Sequence, residues 1–242
     1  MYPVIPKYTY KHMCIYHFME EIFTHIYETS TWGNNNHSEY NGSSGGGSEL
    51  QNNINSYIPI VKHFIRVNNI SSIVDLGCGD FVCGPSIYDE LDVTYTGYDV
   101  YKPIVDYHNK TYSNDSKYDF KCMDIFNNRE NIVNADLCIL KDVLQHWDTM
   151  TIESFLFDII NMGKFKYILI CNCCDQSNDD DNIQVGNTRP LSCDFNPLKK
   201  FNPIKICHTK ESTIKEISII TNEEFRFLFV NNQHITVFTP RK

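Results

Sequence analysis

A doubly wound α/β fold is what this sequence predicts: a mostly parallel sheet, covered by helices on both faces and finished at one edge by an antiparallel pair. Three observations carry that expectation. From residue 72 onward, short and nearly continuous apolar runs alternate with segments of helical periodicity, as in strands buried on both faces. The first of these runs, Ser72-Ile73-Val74-Asp75-Leu76, leads directly into Gly77-Cys78-Gly79, a turn that closes a strand and opens a helix. Near the end, Ile214 to Ile220 and His234 to Phe238 form two apolar runs joined by a short connection, which predicts the antiparallel edge hairpin.

The elements follow in order. Ile15, Phe18, Met19, Ile22, Phe23 and Ile26 fall on one stripe of a first helix. Periodicity stops after Thr29, and residues 31–48 are rich in Gly, Ser and Asn around Trp32 and Tyr40. The chain accordingly divides into residues 1–48, a helix with a Gly/Ser-rich segment, and residues 49–242, the α/β domain. Ser48-Glu49-Leu50-Gln51 has the pattern of a capping box, which predicts a helix from there to about Asn68, kinked at Pro59. Strands are expected at Thr94–Asp99, Tyr118–Cys122, Asp136–Leu140 and Tyr167–Cys171. A helix from Asp148 to Met162 places Ile152, Phe155, Leu156, Ile159 and Ile160 on one face. Residues 174–203 show little periodicity and include the acidic run Asp179-Asp180-Asp181, read as a solvated loop tip.

Composition narrows the function. The 242 residues carry 21 Lys plus Arg against 30 Asp plus Glu, a net charge of −9. Gripping a nucleic-acid backbone or an anionic membrane needs a positive field, so neither is an expected partner. No stretch approaches the roughly 20 apolar residues of a membrane span. The opening Met-Tyr-Pro-Val-Ile-Pro-Lys lacks the basic start and apolar core of a signal peptide, and a cytoplasmic protein is expected. Of the 10 cysteines, several sit inside apolar runs, where the thiol packs as a small hydrophobe. Cys171, Cys173 and Cys174 cluster without the paired spacing of a structural zinc site, and no metal is assigned.

The chemistry concentrates at strand ends. Counting from Gly77, a nicotinamide fingerprint would need glycine where Val82 stands, and Asp75 and Asp80 beside the turn would repel a pyrophosphate. A neutral or cationic nucleoside fits better. Asp99 ends the second strand, 24 residues after Asp75, where an acid accepts from ribose hydroxyls. Asp124 follows the third strand. Any one of these aspartates alone reads as a turn residue or helix cap. Acids at the ends of three successive strands read as a site.

This constellation resembles the class I S-adenosylmethionine-dependent methyltransferases, whose sheet is Rossmann-like. Asp75-Leu76-Gly77-Cys78-Gly79 is similar to their glycine-rich first motif, Asp99 to their ribose-binding acid, and Asp124-Ile125 to their adenine-flanking pair. Asp136 to Trp147 resembles their fourth strand and the turn beside the transferable methyl, and the likeness covers roughly residues 70–172. The resemblance implies S-adenosylmethionine as cofactor, held by Asp75, Gly77, Cys78 and Gly79 and, further along, by Asp99, Val100, Asp124 and Ile125. Lys141 would meet the methionine carboxylate. Trp32-Gly33 and the Gly/Ser run resemble the front of a poorly characterised branch, in which the segment ending at Ser48 is a lid with Trp32 near the pocket.

Methyl transfer is an in-line displacement, so a hydroxyl acceptor needs chiefly alignment and a general base. His146 is the first candidate base and Asp142 the second; the other reading of His146 is packing at the helix start. The Asn-Pro-Pro-Tyr-like turn of amino-group methyltransferases is replaced here by Lys141-Asp142-Val143-Leu144. The expected activity is therefore methylation of a small molecule, a sugar-like hydroxyl among the acceptors. Arg189, in the late loop, is a candidate to hold an acidic group of the acceptor. The alternatives are a non-catalytic nucleoside-binding module and, further off, a nicotinamide-dependent oxidoreductase.

Overall fold

The run Ser72–Leu76 forms strand β1 and divides the core by its pleat: Ile73 faces one apolar layer, Val74 and Leu76 the other. The computed structural model describes residues 19–35, 38–179, 181–210, 213–223, 225–228 and 235–238. Helix α1 (Met19–Glu28) is the described part of the first predicted helix; Ile15 and Phe18 lie outside the described residues. Strands β2 (Thr94–Asp99), β3 (Tyr118–Cys122), β4 (Ala135–Lys141) and β5 (Phe165–Cys173) stand where the apolar runs put them. With β6 (Ile204–Lys210) and β7 (Ile214–Thr221) they make one seven-stranded sheet, ordered β3-β2-β1-β4-β5-β7-β6. Strands β1 to β5 run parallel, and β7 is antiparallel to both its neighbours.

Helices cover both faces. On one side α2 (Tyr57–Val67), α3 (Gly84–Tyr88) and α4 (Lys102–Thr111) bury Phe64, Ile87 and Ile104 against Ile73, Tyr95 and Leu137. On the other, α5 (Thr149–Asn161) buries Ile152, Phe155, Leu156 and Ile159 against Val74, Cys138 and Ile168. Each such side chain contributes about 1.5–3 kcal/mol as an upper figure. Asp148 caps α5, its carboxylate accepting from the Thr151 amide at 2.7 Å. Because β1 sits between β2 and β4, the chain reverses its winding there, and the crevice at their carboxyl ends is where such sheets bind ligands.

Four expectations need correction. The helix predicted from Ser48 to Asn68 is a single 3-10 turn, Leu50–Asn52, followed by α2 from Tyr57. Pro59 makes no kink, because it falls in the first turn of α2, where its missing N–H is not needed. Ser48 caps no helix; its hydroxyl instead lies within hydrogen-bond reach of the Gly45 carbonyl and of Asp80, sharing its one proton between them. The C-terminal pairing also differs. The partner of β7 at the edge is β6, while Ile235–Phe238 (β9) pairs with Phe225–Leu228 (β8) in a separate two-stranded ladder. Strand β6 was hard to see because Lys205, His208 and Lys210 interrupt its apolar pattern, as suits an edge strand with one solvated side. Among the described residues no helix is long and apolar enough to cross a membrane.

Candidate functional site

A cleft of about 1100 Å³, counted to its solvent-open mouth, lies at the carboxyl ends of β1, β2 and β4. Its wall includes Asp75, Gly77, Cys78, Gly79, Asp99 and Val100 from the first two strand ends. Asp124, Ile125, Lys141, Asp142 and His146 complete the sheet side, and Trp32 closes from the segment before α2. Every residue singled out from the sequence for the cofactor or as base thus borders one space.

The glycine loop is held from behind. Gly77 and Gly79 take φ values of +83° and +53°, which a side chain resists. A Cβ at Gly77 would stand 2.6 Å from Val143 Cγ2. The amides of Gly77 and Cys78 both donate to the Tyr98 carbonyl, at 2.8 and 3.0 Å. Asp99 accepts from the Gly79 amide on one oxygen and the Tyr101 amide on the other, each at 3.0 Å. Burial nevertheless leaves its carboxyl above the ordinary value. His108 Nε2, from α4, meets the Gly79 carbonyl at 2.8 Å. Beneath the loop Asp75 accepts from Tyr95 Oη at 2.8 Å, and burial pushes its carboxyl up to about 6. Asp124 borders the cleft while capping its own turn, accepting from the amides of Phe126 and Asn127.

The end of β4 is an ion cluster. Asp142 Oδ2 lies 2.6 Å from Lys141 Nζ and 2.5 Å from Lys215 Nζ. Burial raises this carboxyl, but the two ammonium groups outweigh burial and hold it below its ordinary value. As second candidate base Asp142 is thereby corrected: a carboxylate clamped by two cations has little affinity for a proton. Its other oxygen, Oδ1, is buried and has no hydrogen-bond partner among the described residues.

The Gly/Ser-rich segment packs over this arrangement. The Ser44 amide and Ser48 hydroxyl both donate to Asp80 Oδ2, at 3.0 and 2.9 Å, and Ser44 Oγ accepts from the Asp80 amide. Trp32 packs among Phe23, Tyr27 and His146, with ring centroids 5.9, 5.7 and 4.6 Å away.

His146 ends the 3-10 turn Leu144–His146 and is 8% exposed. Its Nδ1 lies 3.0 Å from the Asn187 carbonyl oxygen, which can only accept, so Nδ1 carries the proton. The other neighbour agrees. Gln145 Oε1 accepts from the Cys173 amide, which turns the Gln145 amino group toward His146 Nε2 at 3.5 Å. Burial lowers the imidazole below its ordinary value against the upward pull of the Asn187 carbonyl and Asp142; Lys215 adds to the lowering. The ring is therefore neutral at pH 7 with a lone pair on Nε2, the state a general base requires.

No family model and no curated protein matches the sequence. Solved structures match its fold. The mitomycin 7-O-methyltransferase MmcR aligns with a TM-score of 0.51 and 16% identity over 68% of this chain and 53% of its own. This chain has the class I S-adenosylmethionine-dependent methyltransferase fold. The bifunctional kinase-methyltransferase WbdD aligns at 0.54 and 12% identity, covering 79% of this chain and 45% of that one. An O-methyltransferase family protein from Burkholderia thailandensis gives 0.51 and 13%, covering 68% and 55%. The chain spans about half the length of these proteins.

Within the methyltransferase fold, several site residues carried no local signal. Lys215 arrives from β7, Tyr27 from α1 and His108 from α4, each placed by tertiary packing. Arg189 is a correction: it is buried, does not border the cleft, and its guanidinium binds the backbone around α5 instead of an acceptor. Cys171, Cys173 and Cys174 are free thiols, and among the described residues no group of His, Cys, Asp or Glu is arranged to hold a metal.

Proposed function

We propose that this chain transfers a methyl group from S-adenosylmethionine to a hydroxyl of a small molecule. The observation that carries the reading is His146, neutral, proton on Nδ1, bordering the same cleft as the glycine loop. The cleft's polar groups fit the cofactor. Asp142 Oδ1, buried and unpartnered, beside Lys141 supplies an acceptor and a cation for the ammonium and carboxylate of an amino-acid end. The open φ space of Gly77 and Gly79, with no side chain in the way, accommodates close approach, and Asp99 keeps lone pairs for ribose hydroxyls. Val100, Asp124 and Ile125 then flank the adenine, and Asp75 supports the loop from below.

When bound, the cofactor supplies a methyl carbon on a sulfonium, open to in-line displacement. His146 Nε2 receives the proton of the acceptor hydroxyl, while the Asn187 carbonyl stabilises the resulting imidazolium at Nδ1. Trp32, Phe23 and the Gly/Ser segment act as the lid, excluding water from the reacting centre. Five cleft aspartates against a single cleft lysine favour a neutral acceptor, such as a sugar-like or phenolic hydroxyl, over nucleic acid. The names of MmcR and of the Burkholderia protein, both O-methyl transfer, support the hydroxyl.

The test has two arms. Thermal-shift and calorimetric titration should show binding of S-adenosylmethionine and S-adenosylhomocysteine, and none of NAD. Labelled methyl should pass into a small-molecule pool, and His146→Gln should lower transfer by roughly 10²–10⁴ with S-adenosylhomocysteine affinity unchanged. Binding without transfer to any pool would leave a nucleoside-binding module. Binding of NAD alone would overturn the reading.

A further inference from the structure

The turn that carries His146 is wrapped by the late loop. The Gly186 amide donates to the His146 carbonyl at 2.9 Å, and the Arg189 amide to the Gln145 carbonyl at 3.0 Å. Between these two contacts the Asn187 carbonyl and Thr188 Oγ1 face His146 Nδ1, at 3.0 and 3.2 Å. The Leu191 amide then closes the loop on the Cys173 carbonyl at the end of β5, at 2.7 Å. Backbone thus surrounds the imidazole edge on which the proton sits. A loop of this kind holds its shape only if something anchors it.

Arg189 is that anchor. It is 3% exposed, yet none of its contacts among the described residues is an ion pair. Its guanidinium donates from Nη2 to the Trp147 carbonyl at 3.1 Å and from Nη1 to Thr149 Oγ1 at 3.0 Å, and Nη1 also reaches the Asp181 carbonyl. The planar fork therefore joins the residue after His146, the first turn of α5 and the far side of the loop. A buried cation is thus satisfied by two carbonyls and a hydroxyl, one of the carbonyls belonging to the residue next to a cleft histidine.

We propose that Arg189 is a positioning residue for His146: by locking residues 181–191 around the turn, it keeps the Asn187 carbonyl on Nδ1 and so keeps the proton off Nε2. This rests on His146 being the base of the proposed transfer. The charged groups facing the ring are Asp142 from the end of β4 and Lys215 from β7, and Arg189 lies behind the turn. The substitution therefore leaves the ring's charged neighbours in place and removes the clamp. The loop also explains why 182–191 is long: it reaches from the acidic tip back over α5 to the sheet.

The test reads the imidazole directly, with no methyl donor or acceptor present. In chain with ¹⁵N-labelled histidine, His146 is assigned by the signals lost in His146→Gln. The wild type should show a single tautomer, protonated at Nδ1, titrating below pH 6.5. Arg189→Lys, which keeps the charge and loses the fork, should show mixed tautomers and a midpoint moved toward 6.5, because a loosened loop admits water and relief of burial, the largest cause of the lowering, outweighs the lost pull of the Asn187 carbonyl. Thr149→Val, which removes one acceptor only, should shift it less in the same direction, and it covers the case in which Arg189→Lys fails to fold. Once an acceptor is known, Arg189→Lys should lower kcat at least tenfold, move the acid limb of kcat upward and leave KM for the methyl donor unchanged. An unchanged tautomer and midpoint in both variants would overturn the proposal, whether or not methyl transfer is found. A wild-type pattern in the spectra with no transfer in any pool would instead count against the function alone.

Discussion

The carbonyl oxygen of Gly47 lies 2.6 Å from Lys141 Nζ, tying residues 94 positions apart. Lys215 Nζ reaches the same oxygen at 3.4 Å. One backbone carbonyl of the Gly/Ser segment thus sits on the two cations that flank Asp142, at the place proposed for the amino-acid end of the cofactor. The contact couples the cover to the site: whatever draws Lys141 toward a ligand carboxylate also pulls at Gly47.

Gly47 has no unusual φ; its lack of a side chain matters because a Cβ would stand 2.8 Å from Asp142 Oδ2 and 2.9 Å from Lys215 Nζ. The carboxylate is fixed by two ion pairs and cannot simply swing away. Gly47→Val should therefore displace the segment and weaken S-adenosylhomocysteine binding roughly tenfold, about 1.4 kcal/mol. Calorimetry reads this directly. Wild-type affinity in that variant would mean that the segment and the ion cluster are not coupled.

The contrast between Asp99 and Lys215 shows what sequence could and could not reveal. Asp99 was legible because a parallel strand fixes where its last residue points, and the glycine loop one strand away fixes what lies there. Lys215 was illegible because its role depends on β7 lying antiparallel beside β5, a pairing that no local pattern announces. The same holds for Arg189, whose fork reads as a ligand-binding group in sequence because its partners, the Trp147 carbonyl and the Thr149 hydroxyl, lie 40 or more residues away. Strand ends were read well; loops were read only where glycine or charge made them distinctive.

Asp75 carries a cost that can be measured. Its carboxyl titrates near 6 in the folded chain, raised by burial, against an ordinary 3.8. A group raised in this way contributes stability that is fully present below about pH 3.8 and is lost as pH climbs through 6. At pH 7 the folded state therefore bears a penalty on the order of 1–3 kcal/mol. Asp75→Asn, which still accepts from Tyr95, should be more stable than wild type at pH 7.5 and lose that advantage by pH 4.5. Thermal melts at the two pH values decide it, and a variant no more stable at 7.5 would show that the carboxylate is already well solvated.

Trp32 rests on His146 at a centroid distance of 4.6 Å, and this contact makes tryptophan emission a reporter of the proposed base. The other tryptophan, Trp147, is buried against Phe155 and Phe126 and would mask the signal, so the measurement uses Trp147→Phe. That substitution trims a core side chain and should cost roughly 1–3 kcal/mol, which a melt must show is tolerated. An imidazolium quenches an adjacent indole, whereas a neutral imidazole quenches it far less. Burial holds His146 below its ordinary 6.5, so Trp32 emission should stay level as pH falls to 6.5 and drop only beneath it. His146→Gln should remove the step. Adding S-adenosylhomocysteine should alter the emission saturably, and deletion of residues 42–47 should abolish both that change and turnover while the fold persists. A quenching midpoint at or above 6.5 would mean that the ring is solvated and charged too readily to wait as a base. A Trp32 blind to ligand, together with an active deletion variant, would reduce the segment over the cleft to a linker.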